Sequence, residues 1–190
     1  MLAGCSSSPK SPPVPKTATT TSTTATTLPP ATTTTAAQAA QPCTTTGVSV
    51  TSSSSQGAAG TLVQRFIVTN TTAAPCGMNG APFISPYGPQ PQGGGTVEAD
   101  LPITVGPIPA GFGDLGGSGG QIVVAAGQTA VFFLKWSDVT SASGPCYKAD
   151  GFDFRTPQDT NSKLVTFSFP SDICGGTLEV SQILAPSVTG

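Results

Sequence analysis

The sequence predicts an all-β protein: an antiparallel, immunoglobulin-like β-sandwich with two disulfides, preceded by a disordered Thr/Ser/Pro-rich tail. Three observations point there. From residue 43 onward the chain is a series of short runs rich in Val, Ile, Phe and Thr, each bounded by Gly, Pro or Ser clusters. No window carries the 3.6-residue apolar period of an amphipathic helix. Four cysteines, Cys43, Cys76, Cys146 and Cys174, fall within this region and none forms a C-x-x-C pair.

The N-terminus reads differently. Met1-Leu2-Ala3-Gly4-Cys5 has the form of a bacterial lipobox, an apolar residue and two small residues ahead of a cysteine that receives a diacylglyceryl thioether. A basic n-region and an apolar h-region belong before such a box. Met1 stands four residues ahead of Cys5, so residues 1–5 read as the remnant of a lipoprotein signal peptide. Between 6 and 42, twelve Thr, seven Pro, seven Ala and five Ser leave Lys10 and Lys16 as the charges. Such a stretch buries too little apolar surface to offset its ordering entropy, and it is expected to be a disordered stalk with polyproline II character.

The domain is expected to span 43–190. GVSVTSS (47–53) alternates. TLVQRFIVTN (61–70) sets Leu62, Phe66 and Val68 on one face and Val63, Arg65 and Ile67 on the other, the pattern of a strand partly buried on both sides. PFISPY (82–87), TVEADLPITV (96–105), QIVVAA (121–126), TAVFFLKW (129–136), FDFR (152–155), KLVTFSF (163–169) and TLEVSQIL (177–184) complete the set. About seven to nine strands at this spacing suit a sandwich, and a domain of about 150 residues can bury roughly two-thirds of its unfolded surface. Glycine-rich PQPQGGGTVEAD and AGFGDLGGSGGQ flank the strand at 96–105. The second lacks the helix and the lysine of a phosphate-binding loop, and reads as a long mobile hairpin or loop.

Four domain cysteines allow three pairings. Sequence order favours Cys43–Cys76 and Cys146–Cys174, each closing a loop of about thirty residues that contributes on the order of 3–4 kcal/mol. The order Cys…Trp…Cys of a true immunoglobulin domain is missing, because Trp136 lies between the two proposed bridges.

Composition excludes much chemistry. Charged residues make up 8% of the chain, the net charge is −2, and histidine is absent. Nucleic-acid binding has no basic surface to drive it. Ser-His-Asp catalysis, Cys-His catalysis and His-ligated zinc lack their imidazole. The domain lysines Lys135, Lys148 and Lys163 have no Ser-x-x-Lys spacing to suggest Ser-Lys acyl transfer. The carboxylates Glu98, Asp100, Asp114, Asp138, Asp150, Asp153, Asp159, Asp172 and Glu179 follow no calcium-loop pattern. Asp138, Asp150, Asp153 and Asp159 read as loop or strand-end residues that satisfy turn amides. Asn70-Thr71-Thr72 is a glycosylation sequon on paper only.

Several segments together resemble a known family. A cysteine opens the domain, and an apolar strand ends in VTN (68–70). Cys76-Gly77-Met78-Asn79-Gly80-Ala81-Pro82 follows, then AAGQTAVFFLKW (125–136), a third cysteine, FDFRTP (152–157) and CGGTLEV (174–180). The set resembles the four-cysteine β-sandwich domain of unknown function that recurs in actinobacterial cell-envelope lipoproteins, over about 43 to 182. Met78 stands where that family usually has leucine, and the stretch at 106–120 looks longer than usual. The resemblance implies fold and location and brings no catalytic residue.

The expected protein is therefore a monomeric, extracytoplasmic lipoprotein anchored to the cell membrane through lipidated Cys5. Its sandwich is expected to be a non-catalytic binding module without cofactor or metal, for an envelope protein, a wall polymer or a small ligand. Exposed aromatics on mobile loops suit such a surface, and the candidates are Phe112, Phe83, Tyr87 and Tyr147. The alternative is a carbohydrate-active or other envelope enzyme using a pair of loop carboxylates.

Overall fold

In the structure, a computed structural model, residues 40–116, 120–140 and 144–188 are described. Cys5 and the stalk as far as residue 39 lie outside the described residues, as do 117–119 of the glycine-rich stretch. The strands are β1 (Val48–Ala58), β2 (Thr61–Asn70), β3 (Cys76–Met78), β4 (Phe83–Gln92), β5 (Gly95–Asp100), β6 (Thr104–Pro107), β7 (Ile122–Val124), β8 (Thr129–Ser137), β9 (Cys146–Arg155) and β10 (Lys163–Val180). Single 3₁₀ turns occupy Thr45–Gly47 and Gly113–Gly116.

One continuous sheet runs β1-β2-β8-β10-β9-β4-β5, and β3 and β7 form a small second sheet. The large sheet is curled into a sandwich because β10 serves both layers. Its first part pairs with β9 from Lys163 to Cys174, and its last residues, 177–180, pair with β6 and, at Glu179 and Val180, with β8. The change of layer falls at Gly175 and Gly176, whose φ angles are 77° and 67°. Backbone in that region costs a residue with a Cβ about 1–2 kcal/mol, so paired glycines suit the corner.

The layers meet through aromatic rings. Phe66 of β2 stacks on Phe132 of β8 at 5.1 Å between centroids, and meets Phe152 of β9 edge-on at 5.1 Å. Phe132 also reaches Phe154 at 5.7 Å, and Phe167 of β10 lies 5.6 Å from Phe152 and 6.0 Å from Trp136. All these side chains are buried, and each well-oriented aromatic pair contributes about 0.5–1.5 kcal/mol beyond its area. β2 is buried on both sides, as its pattern predicts. Phe66 and Val68 enter this core, while Val63 and Ile67 pack with Ile108, Leu115, Val131, Phe133 and Leu184 in a second cluster on the outer face.

Both bridges join the cysteines that sequence order favours, Cys43–Cys76 and Cys146–Cys174. The second links directly opposed residues of β9 and β10, just before the corner.

Several sequence expectations need correction. The run at 96–105 is two strands: β5 pairs antiparallel with β4, and β6 pairs parallel with β10, so the sheet is not antiparallel throughout. Pro102, which has no N–H to donate, lies in the break between them. The strand expected at 82–87 runs on as β4 through Pro89 and Pro91 to Gln92. Each of those prolines faces β5 alone, because β4 pairs with β9 only as far as Tyr87, and proline is tolerated where one side carries no ladder. Asp150 and Asp153 sit inside β9, not in loops. The described part of the stretch at 106–120, as far as Gly116, is tied down by buried Ile108 and Leu115, so this part is not a free hairpin.

Two polar clusters lie at one end of the sandwich, where Val48 opens β1 opposite Asn70 and the Thr71 N–H donates to the Gly47 carbonyl. Fully buried Asn70 uses its whole amide. Nδ2 donates to the carbonyls of Ala74 (2.8 Å) and Val124 (2.9 Å), and Oδ1 accepts from Thr72 N–H (2.9 Å) and Thr72 Oγ1 (2.7 Å). Both amide hydrogens are engaged, so the folded sequon offers no nitrogen for glycan transfer. At the other cluster, Thr156 Oγ1 donates to the Cys43 carbonyl at 2.8 Å, and Thr156 N–H donates to Thr45 Oγ1 at 3.1 Å. Asp159 accepts from the backbone N–H groups of Thr45 (2.6 Å), Thr160 (2.7 Å) and Asn161 (3.1 Å).

Two outcomes are expected. Asn70→Ala removes four hydrogen bonds from a fully buried position, among them the buried bond to the Val124 carbonyl, and a buried polar group left without its partner costs about 1–3 kcal/mol. Urea unfolding is therefore expected to show a loss above about 2 kcal/mol, with Asn70→Asp, which cannot donate twice, nearly as damaging. The Thr45 and Asn161 N–H groups hold the Asp159 carboxyl at about 2, below its ordinary 3.8. The native state thus binds fewer protons than the unfolded chain, and Asp159 contributes stability above pH ~4 that fades as pH falls towards 2. Asp159→Asn is expected to flatten that acid limb of a denaturation–pH series and to leave the slope between pH 5 and 8 unchanged.

Candidate functional site

The outer face of β1-β2-β8 carries the most developed surface feature. The chain leaving β6 crosses this face, where Ile108 and Leu115 seat it among Val131, Phe133 and Leu184. Phe112, between those anchors, stays 40% exposed. Lys135 of β8 lies with Nζ 4.6 Å from the Phe112 ring centroid and also donates to Glu179 of β10. A cation over an exposed ring contributes about 0.5–1 kcal/mol, enough to bias the ring's position. Phe112 and Leu115 form one wall of an open cavity of about 410 Å³, and Gln56, Gly57, Ala58, Thr61 and Val63 of the β1–β2 hairpin form the other.

This groove runs beside an edge. β1 ends the large sheet, with β2 on one side and no strand paired on the other among the described residues. Its sequence, VSVTSSSSQGA, holds no charge and no proline, the residues by which natural sheets discourage further pairing. A register break between Ser52 and Ser55 is the irregularity it carries.

The other predicted aromatics lie elsewhere. Phe83 begins β4, 48% exposed, with the Arg155 guanidinium 4.2 Å from its ring centroid. Tyr87 lies further along β4 and is half-buried, opposite Gly151 and Asp100. Tyr147 of β9 is half-buried and packs on the main core. Phe112 and Phe83 are thus held on different layers by different cations, and Tyr147 is largely a packing residue.

The carboxylates divide similarly. Asp159 caps a turn, as its position predicts. Asp172 faces Lys148 across β9 and β10, and Glu179 is paired with Lys135. Asp100 and Asp153 flank Ser85 on the outer side of β4, where Ser85 Oγ donates to Asp100 Oδ1 at 3.0 Å. Among the described residues no three His, Cys, Asp or Glu side chains cluster as metal ligands, and the four domain cysteines are taken up in disulfides.

Sequence reasoning singled out Phe112 but missed the hairpin wall and Lys135. The available signal was outward-facing Val63 and Ile67: apolar residues on the face away from the core imply that something covers them.

Two disulfides fit an oxidising, extracytoplasmic compartment, and among the described residues no helix is long and apolar enough to cross a membrane. No curated protein and no solved structure matches the chain. Residues 43–183 match a family described as a domain of unknown function (DUF4232). The match takes in both disulfides, the aromatic core, the corner of β10 and the loop bearing Phe112, and the chain belongs to that family.

Proposed function

We propose that this chain is an actinobacterial cell-envelope lipoprotein, acylated at Cys5, whose sandwich is a non-catalytic binding module. The partner is an extended protein segment that adds to the β1 edge and seats an apolar side chain against Phe112. The observation that carries this reading is the juxtaposition of an uncharged, proline-free edge strand with an apolar groove in which Phe112 is held exposed. Main-chain pairing along an edge supplies affinity in such complexes, and a flanking pocket supplies selectivity. The Leu-Ala-Gly-Cys motif and the disulfides support the location. Two acyl chains on Cys5 give stable attachment where one is marginal.

Two measurements test this. Mass spectrometry of the mature N-terminus, from protein expressed with its upstream sequence, is expected to find a diacylated Cys5; an unmodified Cys5 in an unprocessed peptide ends the lipoprotein reading. For binding, the domain is used as bait for envelope extracts. Phe112→Ser is expected to reduce capture of its partner about thirtyfold, the loss typical of an aromatic anchor. Phe83→Ser is expected to leave capture unchanged, and both variants should melt near the parent because the substituted rings are exposed. Shortening 106–120 is a poor test, since it removes buried Leu115. Capture unaffected by Phe112→Ser refutes the groove. Turnover of wall glycans that vanishes in Asp100→Asn or Asp153→Asn establishes an enzyme instead.

A further inference from the structure

Trp136 presents a second feature, independent of the Phe112 groove. It is the one tryptophan of the chain. Its indole is 4% exposed and Nε1 has no hydrogen-bond partner. Burying a polar group without a partner costs about 1–3 kcal/mol by protein measurements, and buried N–H groups without acceptors are rare enough to need a cause. Gln64, 9% exposed, faces the same way. Leu62 pairs with Trp136 and Gln64 with Leu134, so all four share the inner face of β2 and β8. A cavity of about 120 Å³ borders them on this side, lined by Leu62, Gln64 and Trp136 together with Ser55, Ser168 and Ser171.

Two irregular strand segments frame this cavity. The register of β1 breaks between Ser52 and Ser55, and that of β10 breaks between Thr166 and Ser171. Ser52 Oγ and Ser168 Oγ meet at 2.5 Å across the gap between these strands. Bulges open a ladder locally and redirect side chains, and they recur beside binding sites. Ser55 and Ser168 are exposed and form the mouth.

The lining fixes the chemistry. No charged side chain contributes to it. The indole supplies a donor without an acceptor, the Gln64 carboxamide supplies two donors and an acceptor oxygen, and serine hydroxyls supply both. Leu62 and the indole face give an apolar wall, the combination found in pockets that orient small ligands. The volume equals about four waters, room for a small polyol or for one edge of a sugar ring. We propose that the cavity between the β1 and β10 bulges binds vicinal hydroxyls on a neutral carbon skeleton, with Trp136 Nε1 donating to one hydroxyl and the Gln64 carboxamide bonding its neighbour.

The single tryptophan makes the test direct, because ¹⁵N-labelled protein gives one indole N–H resonance. Titration with glycerol, myo-inositol, methyl α-mannoside and methyl α-arabinofuranoside is expected to shift that resonance saturably for at least one probe. Saturation by glycerol or inositol identifies a free-polyol site, and saturation by a methyl glycoside alone identifies a site for a terminal sugar. Gln64→Leu is expected to weaken the responding probe about tenfold. Should Gln64→Leu not fold, Ser55→Val at the exposed mouth carries the same expectation of weaker binding. A shift that stays linear with every probe, or an affinity unmoved by the folded variant, overturns the proposal and leaves a cavity that holds solvent.

Discussion

One strand has to belong to two layers, and the architecture follows from how that is achieved. β10 carries Val165, Phe167 and Ile173 into the core from one layer, and Leu178 and Val180 from the other. Between them the backbone adopts two successive left-handed conformations at Gly175 and Gly176. The Cys146–Cys174 bridge locks β10 to β9 immediately ahead of that corner, so the strand leaves it from a fixed start. Beyond the corner β6 adds in parallel from Thr104 to Pro107. That pairing delivers the chain to the outer face of β8, and Phe112 stands where it does as a consequence.

The segments that carry the family resemblance gain a physical meaning from this frame. CGGTLEV is the bridge, the corner and the return of β10. FDFRTP places Phe152 and Phe154 in the core and Thr156 against Cys43 and Thr45. VTN ends in Asn70, which ties the turn after β2 to β7 through Ala74 and Val124. Cys76-Gly77 brings the start of the domain into β3, with Gly77 N–H donating to the Gln41 carbonyl and Cys43 N–H donating to the Gly77 carbonyl. Each of these named residues has a role in folding.

Much of the fold could be read from sequence because its signals are local. β2 is delimited by its own two-sided apolar pattern, and β8 by an apolar run ending in Trp136. Pairing between neighbouring cysteines also follows from chain order. What stayed hidden depends on contacts distant in sequence. The parallel β6–β10 pairing joins residues some seventy positions apart, and nothing in Thr104–Pro107 announces its partner. β4 runs on through Pro89 and Pro91, which read as strand breakers until their unpaired side is known. Leu115 sits in a glycine-rich run whose composition suggests mobility, although a single buried side chain is enough to fasten it.

The candidate site was legible only in outline, for a related reason. Exposure of an aromatic is a property of what fails to cover it, and a sequence records no such thing. Phe112, Phe83, Tyr87 and Tyr147 look alike as residues in turn-rich or strand-end settings. The fold separates them by the neighbours it supplies: a lysine and an apolar groove for Phe112, an arginine for Phe83, the core for Tyr147. Trp136 shows the converse. Its place at the end of an apolar strand predicts packing, and it does pack, against Phe167. Packing accounts for the ring and leaves the N–H unanswered, so burial alone does not complete the account of this residue. Two register breaks more than a hundred residues apart frame the cavity that Trp136 and Gln64 line, and no local pattern in either stretch announces that they meet.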